Sequence, residues 1–323
     1  MKNTLYPIKF EPILKSKIWG GEKLKNILNK SSQVKNIGES WEISDVEGDT
    51  SIIANGELKG NSLKQLLSTF KADLIGEKNY VEFGNTFPLL IKFIDAKEDL
   101  SIQLHPNDAL AAKRHNSFGK TEMWYVMQAD PDAKLIVGFN QPMDSDTYNK
   151  HLEEKTLPEI LNFDNVKTGD SYFIDGGRVH AIGAGVLLAE IQQTSDITYR
   201  VYDWDRVDEA GNRRELHNDL AIEAFNFNMP DNFRVSYSKD ENKANLMLNC
   251  SYFTTNYLNI TTPIIKSNTH DSFLIYMCVA GEITINANGF STTLKAGETV
   301  LIPAALKTVN LITENATLLE VYV

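Results

Sequence analysis

Apolar residues recur along this chain in short runs separated by turn-forming residues, most clearly in the last third. Runs at 252–260, 273–279, 282–287, 290–294, 299–302, 308–312 and 317–323 are rich in Val, Ile, Thr, Tyr and Phe. Ala280-Gly281, Ala287-Asn288-Gly289 and Lys295-Ala296-Gly297-Glu298 punctuate them. β-Branched and aromatic side chains suit a pleated, half-buried surface, so many short runs at close spacing predict an antiparallel sandwich or jelly roll. The middle of the chain follows the same style. Strands are predicted at 122–127, 134–137, 171–174 and 186–192, with a continuous apolar strand at 87–94 that Lys92 breaks. Helices intervene. Asn61-Ser62 caps one that runs to about Leu74, and Asn107-Asp108 caps another over 109–114. Leu216, Leu220, Ala221, Ala224 and Phe225 fall at helical spacing within 213–225.

A weak internal echo divides the chain. Gly169-x5-Asp175-x-Gly177-x2-His180 resembles Gly297-x5-Pro303-x-Ala305-x2-Thr308, and both read as strand, turn and strand. Two related barrels are expected, with Thr308 standing where the first copy has a histidine. A loop at Met229-Pro230-Asp231-Asn232 places the boundary between residues 1–235 and 236–323.

Four dispersed side chains carry candidate chemistry: Gln103, His105, Glu122 and His180. Residues at i and i+2 on a strand point to the same face, so Gln103 and His105 can aim at one point inside a barrel. Two imidazoles, a carboxylate and an amide oxygen form a plausible ligand set for a divalent transition metal. If Glu122 points inward, alternation brings Lys120 inward as well, where it can bind an anion or move a proton. Glu39 and Trp41, in Gly38-Glu39-Ser40-Trp41-Glu42, and Ser101 are candidates for substrate contact. Lys97 and Arg178 are weaker candidates. Trp124, Tyr125 and Met127 read as core or pocket lining.

Composition narrows the function. The chain has 323 residues, 42% apolar and 23% charged, the balance of a globular protein with room for more than one core. Its net charge of −11 argues against nucleic-acid and anionic-membrane partners, though a local basic cluster can still hold a small anion. Two cysteines, Cys250 and Cys278, give no disulfide framework and no zinc ribbon, which favours reduced thiols in a cytoplasmic protein. The first seven residues lack the apolar core of a signal peptide, and no run approaches a membrane span.

The ligand-bearing motifs resemble the cupin superfamily and, more closely, the class I mannose-6-phosphate isomerases. The resemblance runs through most of the chain. It rests on Trp19-Gly20-Gly21, the Gly38–Glu42 block, Pro88-Leu89-Leu90-Ile91-Lys92, Leu100-Ser101-Ile102-Gln103-Leu104-His105-Pro106, Lys120-x-Glu122 and Val179-His180-Ala181. It continues in a tail block from Gln193 to Trp204, which is similar to the compact bacterial branch. Asp175 departs from the Pro common in cupins. The resemblance implies a mainly β fold of two cupin-type jelly-roll barrels with inserted short helices. The N-terminal barrel would bind metal and the C-terminal one would be degenerate.

The resemblance also implies one zinc ion per chain on Gln103, His105, Glu122 and His180, with Lys120, Asp196 and Arg200 as catalytic residues. The implied reaction interconverts mannose 6-phosphate and fructose 6-phosphate through an enediolate. A metal-held water, Lys120 and Glu39 are candidate bases. Two alternatives remain: an Fe(II) cupin oxygenase, and a non-catalytic cupin that binds a sugar phosphate.

Overall fold

A computed structural model describes residues 4–208, 210–230 and 232–323. Met1–Asn3 of the N-terminal segment and Asp231 of the expected boundary loop lie outside the described residues. Strand outweighs helix, 41% to 16%, so the chain is mainly β.

The N-terminal half folds as two facing sheets. The larger has the strand order Ile13–Gly21, Ile37–Ile43, Leu89–Ala96, Val186–Gln193, Glu122–Ala129 and Ser171–Ile174. The smaller has the order Tyr199–Tyr202, Ile102–Leu104, His180–Ile182, Lys134–Phe139 and Leu161–Asn165. The large sheet has one charged face and one apolar face. On three adjacent strands, Lys92, Glu122 and Glu190 face the space between the sheets. Their neighbours Ile91, Phe93, Met123, Ala189 and Ile191 face away into a buried cluster. Period-two alternation turns one sheet into both a cavity wall and a core surface.

That core is shared with the C-terminal sheet. Ile275 and Met277 from Leu274–Ala287, and Leu319 and Val321 from Ala316–Tyr322, belong to the same cluster as Ile91 and Phe93. The alternate residues Leu274, Tyr276, Cys278 and Leu318 fill a second cluster inside the C-terminal barrel. Leu274–Ala287 is one strand, where the sequence pattern predicts two. A register shift between Cys278 and Ala280, followed by Gly281 at φ +77°, bends it, and its ends pair with different neighbours.

The helices also differ in extent from the sequence reading. Ser62 caps Leu63–Phe70 through a reciprocal pair with Gln65, and the helix stops at Lys71, whose φ is +49°. Asn107 caps Asp108–His115. The segment read as a helix over 213–225 is helical only at Asn218–Ala224. Residues before it run beside Arg200: His217 N donates to Arg200 O at 2.7 Å, and Arg200 N donates to His217 Nδ1 at 3.1 Å. His217 therefore ties the stretch before the helix to the strand Tyr199–Tyr202. No helix among the described residues is long and apolar enough to cross a membrane.

Candidate active site

Register assembles the site. His180 pairs with Gln103 on one side of the short strand Ile102–Leu104, and Arg200 pairs with Gln103 on the other. Glu122 enters from the first residue of its strand in the facing sheet. His105, Glu122 and His180 are each about 1% exposed, and their ligand atoms all lie within 4.8 Å of one another. His105 Nε2 lies 3.3 Å from Glu122 Oε1, and His180 Nε2 lies 3.9 Å from Glu122 Oε2. The Gln103 amide reaches the same point, with Nε2 3.4 Å from His180 Nε2.

Both imidazoles are held in one tautomer. His105 Nδ1 lies 2.8 Å from Ile197 O and His180 Nδ1 lies 2.8 Å from Arg178 O. A carbonyl only accepts, so each Nδ1 carries the proton and each Nε2 presents a lone pair. Burial, with Lys120 nearby, lowers the His105 pKa to about 3, and burial lowers that of His180. Burial alone would raise Glu122, but Lys120 and His105 outweigh it and hold the carboxylate well below its usual range. Two neutral imidazole lone pairs therefore converge on an ionised carboxylate. His105 Nε2 and Glu122 Oε2 are buried without a hydrogen-bond partner. Buried acceptors left in this state are costly unless a cation lies between them, so the set fits a metal ion.

These groups border a cavity of about 300 Å³, at the small end of the range for ligand pockets. Gln103, Glu122 and His180 line it, together with Lys120, Arg200, Asp196, Ser101, Glu39 and Trp41. His105 lies behind the lining. Lys120 Nζ is 3.4 Å from Glu122 Oε1, and burial lowers its pKa. Arg200 Nε donates to Ser101 Oγ at 3.3 Å and its Nη1 to Glu215 O at 2.9 Å. Asp196 is exposed, and among the described residues no carboxylate lies within ion-pairing distance of Arg200. Asp203, three residues on, pairs with Arg206 and Arg214. Glu39 accepts from Trp41 Nε1 at 2.6 Å and pairs with Lys17 at 3.0 Å.

Two weaker candidates lie elsewhere. Arg178 pairs with Asp175 at 2.8 Å and sits over Phe233, contributing only its carbonyl to His180. Lys97 is exposed and outside the cavity.

Sequence reading missed the cavity floor. Lys92 does not break its strand. It lies opposite both Trp41 and Glu190, and Glu190 lies opposite Trp124, so the four form one cross-strand row. Lys92 Nζ is 2.8 Å from Glu190 Oε1, and Trp124 Nε1 donates to Glu190 Oε2 at 2.8 Å. The available signal was a charge inside each of two otherwise apolar runs, which buries badly unless it faces a polar cavity or a partner. Lys15, Lys17 and Arg214 add further positive charge to the lining.

The fold and the site together define a cupin whose barrel holds a His–Glu–His cluster beside a charged, ligand-sized cavity. A family model for the catalytic domain of type I phosphomannose isomerase matches residues 8–133, and one for the cupin domain of mannose-6-phosphate isomerase matches residues 242–323. The chain is 33% identical to mannose-6-phosphate isomerase ManA of Bacillus subtilis (strain 168), over 94% of this chain and 95% of that one. It is 31% identical to the mannose-6-phosphate isomerase of Streptococcus mutans, with 93% of each chain covered. The crystal structure of the mannose 6-phosphate isomerase from Bacillus subtilis superposes with a TM-score of 0.89 at 30% identity, covering 99% of this chain and 100% of that one. The chain belongs to the type I phosphomannose isomerases, and it is an isomerase.

Proposed function

We propose that the protein is a zinc-dependent aldose–ketose isomerase that interconverts mannose 6-phosphate and fructose 6-phosphate through an enediolate. The observation that carries this reading is the pair of unpartnered buried acceptors, His105 Nε2 and Glu122 Oε2, beside a cavity rich in buried charge. Gln103, His105, Glu122 and His180 would hold one zinc ion. When bound, zinc supplies a Lewis acid for the oxygens on C1 and C2.

The protein's own groups supply the rest. Six cationic and five anionic side chains line the cavity, so it favours an anion although the chain as a whole is acidic. Lys15, Lys17 and Arg214 are only partly buried and suit the phosphate, a remote handle that positions the sugar carbons. Arg200 and Lys120 place positive charge where the enediolate oxygens develop negative charge. Ser101 orients Arg200, Glu39 and Trp41 contact the sugar, and Asp196 closes the exposed side.

The reaction removes the proton on C2 and returns one to C1, so it needs a group that can take and give a proton. Lys120, Glu39 and Glu190 are in the cavity. Their environments separate the two carboxylates: burial, with Glu122 nearby, raises the pKa of Glu190, whereas Lys92 and Lys17 overcome burial and hold Glu39 at about 2. A carboxyl whose pKa is raised takes up a proton more readily than one held at about 2, which favours Glu190 over Glu39. Two free cysteines, one fully buried, fit a reducing cytoplasmic setting.

The test is conversion of mannose 6-phosphate measured by a coupled assay before chelation, after chelation and after zinc is returned. Activity should vanish and recover. Full activity in a verified metal-free sample contradicts the proposal, and oxygen uptake on the substrate would favour the oxygenase alternative.

A further inference from the structure

The C-terminal sheet lies on the far side of the shared core from the cavity, yet a side chain in one of its turns is linked by hydrogen bonds to the segment that delivers Lys120 and Glu122. Tyr252 sits in the turn between Ala244–Asn249 and Thr254–Ile260. Its hydroxyl donates to Asp108 Oδ2 at 2.7 Å. The other oxygen, Asp108 Oδ1, accepts from Gly119 N at 2.8 Å and from Gln193 Nε2 at 3.0 Å. Gln193 Oε1 in turn accepts from Thr121 N at 2.9 Å, and Gln193 N donates to Thr121 O at 3.2 Å. Gly119 and Thr121 flank Lys120, and Thr121 directly precedes Glu122.

The chain passes too close for slack. A Cβ on Gly119 would lie 2.7 Å from Asp108 N, so glycine alone lets this segment lie against the start of the helix Asp108–His115. The helix begins three residues after His105, and its first position favours a carboxylate. Burial and the Asp108 carboxylate push the Tyr252 phenol up to about 12, so it remains a donor at any working pH.

We infer that Tyr252, acting through Asp108 and Gln193, is a positioning residue that fixes Lys120 and Glu122 relative to His105, so that the C-terminal sheet helps set the geometry of the reaction. The inference rests on the site roles proposed above. A misplacement of 1 Å can cost about 100-fold in rate. Loss of one hydroxyl that holds such a segment should cost roughly tenfold in kcat, with KM nearly unchanged.

The experiment compares Tyr252→Phe with Asp271→Asn in the full, metal-loaded chain. Asp271 also joins the two halves, capping Glu77 N and Lys78 N at 2.9 Å each, and among the described residues it makes no hydrogen bond or ion pair to the segment Gly119–Glu122. Tyr252→Phe should lower kcat with metal content intact, whereas Asp271→Asn should leave kcat unchanged at temperatures where both are folded. In the double variant, Tyr252→Phe should add nothing to the loss in Asp108→Asn. Wild-type kcat in Tyr252→Phe, or equal losses in Tyr252→Phe and Asp271→Asn, overturns the inference. Lys120→Met separates the two levels: if it keeps full turnover, the site reading itself fails, and if it is inactive while Tyr252→Phe is normal, only the positioning role fails.

Discussion

Lys92 and Glu190 lie directly opposite each other on adjacent central strands, 2.8 Å apart from Nζ to Oε1, and neither is more than 4% exposed. Burial disfavours the lysine's charge, but Glu190, Glu39 and Glu122 outweigh it and raise the pKa of Lys92. The pair forms the centre of the cavity wall. Removing the lysine leaves Glu190 buried with its Trp124 hydrogen bond but without its salt-bridge partner. Lys92→Met should therefore lose about 3–5 kcal/mol of stability in urea unfolding. A loss below about 1 kcal/mol would mean that the pair is more hydrated than its burial indicates.

His105→Ala should lose metal and turnover together. The imidazole is oriented by the Ile197 carbonyl and presents Nε2 to Glu122, so no neighbouring group replaces it. Metal content per chain by elemental analysis is the check. Retention of one equivalent would remove His105 from the ligand set.

Arg200→Ala should keep its metal and lose roughly 100- to 1,000-fold in kcat, the usual cost of removing one oriented donor from a developing oxyanion. Steady-state kinetics alongside metal analysis separates this outcome from a binding defect. Wild-type turnover would leave Arg200 only its links to Ser101 and Glu215.

Glu39 gives a pH prediction. Its folded pKa of about 2 lies below the unfolded value of about 4.3. The folded state therefore binds the proton less tightly, and the carboxylate contributes stability that is complete above the unfolded pKa. That contribution fades as pH falls from about 4.3 toward 2. The stability difference between the wild type and Glu39→Gln should be flat from neutral pH to about 5 and should shrink in more acidic solution. Denaturant unfolding at a series of pH values measures it, and a difference that grows on acidification has the wrong sign for this account.

The His105–Glu122–His180 cluster was legible because its members lie in short, distinctive blocks, although His105 lies one residue beyond the strand Ile102–Leu104 on which alternation was expected to aim it. The cavity floor was not legible from hydrophobic pattern, for a physical reason. A strand whose inner face lines a charged cavity breaks the rule that apolar means inward. Ile13–Gly21 carries Lys15 and Lys17 on its cavity side, so it shows no recognisable strand pattern. Lys92 looks like a break for the same reason. The overlong helix had the opposite cause. Leu216 and Leu220 fit the helical period but are 44% and 37% exposed, and the stretch before His217 is recruited by Arg200 and Asp203 instead of by a core. The bend at Gly281 depends on a bulge that a local reading of Ala280-Gly281 takes for a turn.

The most direct test of the account is an anomalous difference map from crystals of active protein, measured on both sides of the zinc absorption edge. The account predicts one strong peak per chain, bounded by His105 Nε2, His180 Nε2, the Glu122 carboxylate and the Gln103 amide. A fully active crystal with no peak there, or with its peak elsewhere, would contradict it.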